Sequence, residues 1–194
     1  MKGHTPHHTA LTVRRPRRRG RTDLRWCTER RLVLVDIENI VGGACDTSAR
    51  ARWARHRLEN VVGLRHQDQV VVGVDGGGVV CAASEWPGAR AVIGKGKDGA
   101  DRALLEVLAE DLPSRYRHVV LASGDGIFAE AVAELTRHGL DVTVVAHESG
   151  LSRRLREAAT RVVLLSRRPE PQPPSTLRPP TISCDRRLWG PILR

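Results

Sequence analysis

The sequence predicts an α/β fold with a mostly parallel central sheet. From Arg31 onward, short runs of β-branched residues alternate with segments of helical length that are rich in Ala, Leu and Arg. This alternation is typical of βα units around a parallel sheet. The runs are continuously apolar and do not alternate with polar residues, which is typical of strands that are covered on both faces.

Six apolar runs are predicted to be the strands of this sheet. They span Arg31 to Asp36, Gln69 to Asp75, Arg90 to Gly94, His118 to Asp125, Asp141 to Ala146 and Arg161 to Leu165. Each run has the length of an ordinary strand and is followed by a polar or Gly-containing segment.

Four segments between the strands are predicted to be helices. They span Ser48 to Val62, Asp98 to Glu110, Phe128 to Arg137 and Ser152 to Ala159. In the first of them, Trp53, Ala54 and Leu58 fall on one helical stripe, as the apolar side of a packed helix does. Gly139 is expected to end the third helix.

The ends of the chain differ from this central region in composition. The formal net charge is +10, but residues 1–31 hold ten Lys and Arg against two acids, and residues 167–194 hold six Arg against two acids. Residues 32–166 therefore carry a net charge of −2. We predict a disordered Arg-rich extension over residues 1–30, a folded domain over residues 31–166 and a Pro/Arg-rich disordered tail over residues 167–194.

The Arg-rich extension over residues 1–30 has two interpretations, a phosphate-binding arm or a solvated disordered segment. A third alternative is that translation starts downstream, in which case residues 1 to about 28 are not made. The Pro-rich tail with Trp189 is a candidate site for a protein partner, and a homo-oligomer is also left open. The four cysteines form no CxxC pair, which argues against a zinc ribbon and fits a reducing cytoplasm. No apolar run has the length of a membrane span, so a cytoplasmic protein without a membrane partner is expected.

Acidic residues follow three of the predicted strands. Asp36 ends the first strand, Ser123 and Asp125 end the fourth, and the loop after the third delivers Asp98 and Asp101 to the start of a helix. In an open parallel sheet, ligands bind beyond the carboxyl ends of the strands. Carboxylates gathered there resist ionisation unless a cation compensates them, and oxygen ligands suit Mg²⁺ or Mn²⁺. Such an ion favours hydrolysis of a phosphodiester.

Each acid also has a purely structural interpretation. A side chain at the start of a helix can cap free backbone N–H groups and needs no catalytic role. Asn39 can close an Asx turn, and Ser123 can hydrogen-bond its own loop. Lys95 and Lys97 border the acid-bearing loop, where they can contact a substrate phosphate or remain solvated.

Other patterns carry weaker signals. The segment GVDGGGVV lacks the GxGxxG and GK[ST] motifs and is interpreted as a flexible turn. Arginine clusters at residues 50–57 and 153–156 are solvated helix faces or the sides of an RNA path. Aromatic residues are few, so a stacking platform for single-stranded nucleic acid is not supported.

The motifs VDIEN, KDGADRALLEVL and LASGDGIFAEAVAEL, followed by DVTVVA, resemble the NYN domain, a branch of the PIN-like nucleases. The resemblance covers about residues 31–165. It implies a three-layer PIN-like, Rossmann-like α/β fold, an acidic cluster that binds divalent metal, and ribonuclease activity. By position, Asp36 and Asn39 match the first motif, Asp101 matches the acid that opens the middle helix, and Asp125 matches the acid of the SGD motif.

One position departs from the family pattern. The family often has SGDxDF, whereas this chain has SGDGIF, with Ile127 where a second acid would stand. The departure is compatible with a one-metal site, with substitution by Asp98, or with a domain that binds RNA without cutting it.

Three functions are therefore weighed. The first is a Mg²⁺- or Mn²⁺-dependent ribonuclease in which Asp36, Asp101 and Asp125 are catalytic and, with Asp98, hold the metal. Asn39, Ser123, Lys95 and Lys97 are then the candidate substrate-binding residues. The second is a catalytically silent RNA- or nucleotide-binding module, and the third is an interaction protein that acts through its C-terminal tail.

Overall fold

The computed structural model describes residues 30–96 and 98–165. The predictions for the N-terminal extension, for Lys97 and for the C-terminal tail lie outside the described residues. Within those residues, no helix combines the length and apolar character needed to cross a bilayer.

The six predicted strands form one parallel sheet. The strands are β1 Arg31–Asp36, β2 Gln69–Asp75, β3 Arg90–Gly94, β4 His118–Ala122, β5 Asp141–His147 and β6 Arg161–Leu165. Their spatial order is β3-β2-β1-β4-β5-β6, and every neighbouring pair is parallel. The predicted parallel sheet is confirmed. β4 is shorter than predicted because the chain turns after Ala122, and β5 continues to His147.

Six α-helices connect the strands. They are α1 Ile37–Val41, α2 Ser48–Val62, α3 Val79–Glu85, α4 Gly99–Leu108, α5 Ala129–Arg137 and α6 Arg153–Ala158. The four predicted helices are confirmed to within two residues at each end. The two helices that the sequence analysis missed, α1 and α3, are five and seven residues long. The turn predicted in GVDGGGVV ends where α3 begins, at Val79.

Helices cover the sheet in two layers, which confirms the three-layer architecture. On one face, α4, α5 and α6 pack on side chains such as Leu34, Leu121 and Val144. On the other face, α1, α2 and α3 pack on side chains such as Val35 and Val74. This division follows from the strand order, because the crossovers β1→β2→β3 and β3→β4→β5→β6 run in opposite directions along the sheet, and right-handed crossovers of opposite direction lie on opposite faces.

Strand β3 departs from the predicted burial. It lies at one edge of the sheet, where Arg90 and Ala91 are exposed and Ile93 retains 53% of its surface. The apolar composition of this run correctly indicated a strand but not a position covered on both faces, because an edge strand has a neighbour on one side only.

Candidate acidic site at the carboxyl edge of the sheet

The topology places a cleft above the carboxyl ends of β1 and β4. These two strands are adjacent, although 80 or more residues separate their paired positions, such as Val35 and Ala122. The chain leaves β1 towards β2 and leaves β4 towards β5, so the strand order reverses between them. A parallel sheet opens a ligand-binding crevice at such a point.

Asp36 lies at the base of this cleft, with only 4% of its surface exposed. One carboxylate oxygen, Oδ1, accepts a hydrogen bond from the backbone N–H of Asn39 at 3.1 Å and so caps α1. The other, Oδ2, accepts from the hydroxyl of Ser123 at 2.8 Å. The capping role considered for this residue is therefore present, and the second oxygen is tied to the neighbouring strand.

Ser123 and Asn39 hold the ends of the two strands together. The hydroxyl of Ser123, which is fully buried, also accepts from the backbone N–H of Asp125 at 3.1 Å. The side-chain carbonyl of Asn39 accepts from the backbone N–H of Gly124 at 3.0 Å. Both side chains thus fix the loop that carries Asp125, and the burial of Ser123 favours this internal role over contact with a substrate.

Asp125 is exposed at the rim of the cleft. Its Oδ1 accepts from the backbone N–H of Ile127 at 2.9 Å, which caps the 3₁₀ turn Gly126–Phe128. Ile127, the position where the family often has an acid, is 40% exposed. The structure therefore places an exposed apolar side chain two residues beyond the exposed acid.

Two glycines set the position of α4, which carries Asp101. A Cβ atom at Gly94, the last residue of β3, would overlap the backbone of Gly99, the first residue of α4. This close approach brings the start of the helix directly onto the end of the strand. Asp98 precedes the helix in the left-handed region, at φ 58°, and is exposed. It makes no side-chain capping bond, so the capping interpretation of Asp98 is wrong.

The four predicted acids affect one another electrostatically. Burial, and next the nearby carboxylate of Asp101, raise the pKa of Asp36 to about 7, and the hydrogen bonds from Ser123 and Asn39 oppose this rise in part. The pKa of Asp101 is also raised, by burial first and by Asp125 second, while a hydrogen bond with Asp36 lowers it. The carboxylates of Asp36 and Asp101 are therefore neighbours, and Asp125 and Asp98 both lie close enough to Asp101 to raise its pKa.

Glu38 and Asp75 extend this acidic region and were missed in the sequence analysis. The carboxylate of Glu38 accepts from the backbone N–H of Asp75 at 3.2 Å. Burial and then Asp75 raise the pKa of Glu38, and Asp101 contributes to the rise. The signal for Asp75 was available, because this residue ends β2 just as Asp36 ends β1.

The donor set decides what kind of cation fits. In the described part of the chain, no group of three or more His, Cys, Asp or Glu side chains is arranged as a metal cage. Mg²⁺ is usually bound through one or two carboxylates and keeps several of its waters. Asp36 and Asp101, whose pKa values are raised by burial first and by neighbouring carboxylates second, fit this requirement.

The basic residues considered for substrate contact are dispersed. Lys95 is exposed in the loop after β3, at the same edge of the sheet as the acids. On α2, Arg52 forms two hydrogen bonds with Glu85, and Arg55 pairs with Glu59. These two guanidinium groups are therefore engaged by acids of their own chain.

Comparison with known proteins gives one family match for this chain. Residues 83–166 match the NYN domain. The matched region includes Asp101, Ser123 and Asp125 and begins after Asp36 and Asn39. No curated protein matches this chain.

A solved structure is similar in fold. The crystal structure of a protein of unknown function from Vibrio parahaemolyticus matches with a TM-score of 0.51 and 18% sequence identity, over 73% of this chain and 95% of that chain. At this identity the likeness shows the fold alone. The family match shows that residues 83–166 of this chain are similar to the NYN domain, a family of PIN-like nucleases.

Proposed function

We propose that this protein is a metal-dependent ribonuclease that hydrolyses RNA phosphodiester bonds in the cleft between β1 and β4. The observation that carries the proposal is the convergence of Asp36, Asp101 and Asp125 from three separate segments, with the pKa values of Asp36 and Asp101 raised. Buried acids that repel one another favour binding of a cation. The choice of RNA as substrate rests on the NYN domain.

The chain's own residues have distinct roles in this proposal. Asp36 is held rigidly by Ser123 and Asn39 and forms the fixed base of the site. Asp101 enters from α4, where its carboxylate and that of Asp36 can together hold a cation. Asp125 lies at the exposed rim, where a carboxylate can orient an attacking water or accept its proton.

Mg²⁺ or Mn²⁺ held by Asp36 and Asp101 would supply charge compensation at the scissile phosphate and a more acidic water. Asp98, on the loop between β3 and α4, is proposed as a further ligand of the cation, and Lys95 on the same loop is proposed to contact a substrate phosphate. Asn39 and Lys97 are proposed as further substrate contacts. The burial of Ser123 makes it a positioning residue in this scheme and leaves it no direct contact with RNA.

The decisive experiment is cleavage of a mixed RNA pool by the wild-type protein with Mn²⁺, Mg²⁺ or EDTA, beside Asp36→Asn and Asp125→Asn. We expect metal-dependent cutting that both variants lose while their thermal melts remain cooperative. Asp111→Asn is the matched control, because Asp111 is an exposed acid at the opposite edge of the sheet. Equal cleavage by wild type and both site variants would identify a contaminating nuclease and overturn the proposal.

The second candidate function is an RNA-binding module without cleavage. The exposed Ile127 favours it, because this apolar side chain stands where the family often has an acid. In the same experiment this function predicts salt-sensitive RNA binding with no cutting under any metal condition. Cutting by wild type that EDTA stops would exclude it.

A further inference from the structure

The loop that carries Asp125 packs directly against the start of α6. A Cβ atom at Gly124 would overlap the backbone carbonyl of Gly150, and one at Gly126 would lie 2.8 Å from the hydroxyl oxygen of Ser152. The backbone N–H of Ser152 donates to the carbonyl of Gly124 at 2.9 Å. These contacts leave no room for a side chain between the acidic loop and the segment that leads into α6.

Two arginines follow immediately in the first turn of α6. The side chains of Arg153 and Arg154 are 89% and 70% exposed. Arg153 pairs with Glu157 at 2.9 Å, and Arg154 pairs with Glu130 at 3.1 Å across to the first turn of α5. Exposed ion pairs of this kind add little stability, so a phosphate can replace the glutamate as a partner.

The corresponding arginines on α2 are less suited to this role. Arg52 is held by Glu85 through both a 2.9 Å and a 2.8 Å hydrogen bond, and Arg55 is held by Glu59 and by the backbone carbonyl of Glu85. Helix α2 also packs on the face of the sheet opposite to α6. Of the two arginine clusters that the sequence suggested, the one on α6 adjoins the acidic loop.

The aromatic residues indicate which part of a nucleic acid is contacted. Within residues 30–96 and 98–165, Trp86, Tyr116 and Phe128 are buried in the core and Trp53 is half-buried against it. Bases that stack on a protein need an exposed ring, and no aromatic ring of the described region is fully exposed. Recognition through the sugar-phosphate backbone remains, and it carries no sequence information directly.

We propose that the RNA backbone runs from the acidic cleft over the first turn of α6, where Arg153 and Arg154 contact its phosphates independently of sequence. The contact is made by the two side chains and does not depend on the end of this short helix. This inference rests on the proposed function, because it extends the same site to its substrate path. The loop Gly124–Gly126 is the shared wall between the cleft and this path.

The test measures binding of fluorescently labelled single-stranded oligo-U and oligo-A to the full chain at several salt concentrations. Asp125→Asn is present throughout so that the RNA stays intact. Arg153→Gln with Arg154→Gln is compared with a matched double control, Arg115→Gln with Arg137→Gln. The control arginines are exposed and also paired with glutamates, but they lie at the amino edge of the sheet. Both double variants keep the basic N-terminal arm, so any contribution of this arm to RNA binding is the same in the two proteins.

The expected result is weaker binding by the α6 variant. The slope of log K against log salt should become shallower by about 0.7 for each phosphate of a single strand that the protein no longer neutralises, or about 1.4 for two. The decrease in affinity should be equal for oligo-U and oligo-A. Arg153→Lys with Arg154→Lys, which keeps both charges, should retain the parental slope.

Two outcomes would overturn the inference. One is a parental salt slope in the α6 variant, and the other is an equal decrease in affinity in the control. Thermal melts of both double variants establish that any decrease is not caused by unfolding. Failure of the proposed function appears elsewhere, as absence of metal-dependent cutting by the wild type, so the two failures are distinguishable.

Discussion

The hydroxyl of Ser123 and the carboxylate of Asp36 are 2.8 Å apart and join positions 87 residues apart in the chain. The same hydroxyl oxygen accepts from the backbone N–H of Asp125. The buried hydroxyl of Ser123 therefore holds the carboxylate of Asp36 and the backbone of Asp125 at the same time.

Replacing this residue, Ser123→Ala, should weaken both the fold and the site. The substitution leaves a buried carboxylate oxygen and a backbone N–H without their partner, which costs about 1–3 kcal/mol. Because the hydrogen bond from Ser123 lowers the pKa of Asp36, its loss should raise that pKa further. Urea denaturation and the pH dependence of cleavage measure the two effects, with the exposed Ser149→Ala as control. An unchanged urea midpoint would contradict the proposed anchoring role.

Asp36→Asn should remove part of the pH dependence of stability. The pKa of Asp36 rises on folding from 3.8 to about 7, so the folded state binds the proton more tightly than the unfolded state. The stability from this proton is complete below about pH 4 and is lost as pH rises through about 7. The wild type should therefore lose stability over this interval, and the variant should lose less. Urea unfolding at pH 4.5, 6 and 8 measures the unfolding free energy of both proteins. If this free energy changes with pH equally in wild type and variant, the buried-acid interpretation is refuted.

Gly94→Ala should displace α4 and with it Asp101. The added methyl group would overlap the backbone of Gly99, and backbone cannot move aside as a flexible side chain can. We expect a loss of about 1–3 kcal/mol in unfolding free energy and a clear loss of metal-dependent cleavage. Gly76→Ala is the control, because a Cβ atom there meets nothing within 4 Å. Equal behaviour of the two variants would mean that the helix adjusts without moving the acid.

Ile127→Asp tests the departure from the family pattern. An added carboxylate two residues from Asp125 should increase the affinity of the site for a divalent cation, because oxygen ligands and negative charge both favour Mg²⁺. The expected result is a lower Mg²⁺ concentration at half-maximal thermal stabilisation. Gln67→Glu, an exposed change of the same charge at the amino edge, should leave this concentration unchanged. A shift of the same size in both variants would assign the effect to net charge alone.

The sequence predicted most strands and the longer helices correctly, because the apolar pattern and the backbone preference of such an element are contained in its own residues. The β-branched run ending in Asp36 and the helix from Ser48 to Val62 each carry enough apolar residues to be identified alone. The exposure of Ile93 was not predicted, because β2 and β3 are both apolar runs and only the strand order reveals which of them is at the edge.

The acidic site was predicted in outline and not in detail. Parallel strands bring their carboxyl ends to one edge, so Asp36 and Asp125 were expected at the same edge, and the adjacency of β1 and β4 is what brings them close. The roles of their neighbours depend on contacts that no local pattern encodes. Ser123 was predicted either to contact a substrate or to hydrogen-bond its own loop, and the structure shows the loop hydrogen bond together with one to Asp36. Asp75 was overlooked because the glycines after it were interpreted as a flexible turn.

The adjacency of β1 and β4 also determines when the cleft can form. A fragment that stops before His118 has Asp36 and Asp101 but no β4 beside β1, and the NYN-matched segment from residue 83 onward lacks Asp36 altogether. Contacts between such distant positions form late, because a long loop must close first. The acids of the cleft therefore come together only when β1 and β4 have paired, and neither the segment before His118 nor the segment from residue 83 onward holds all of them.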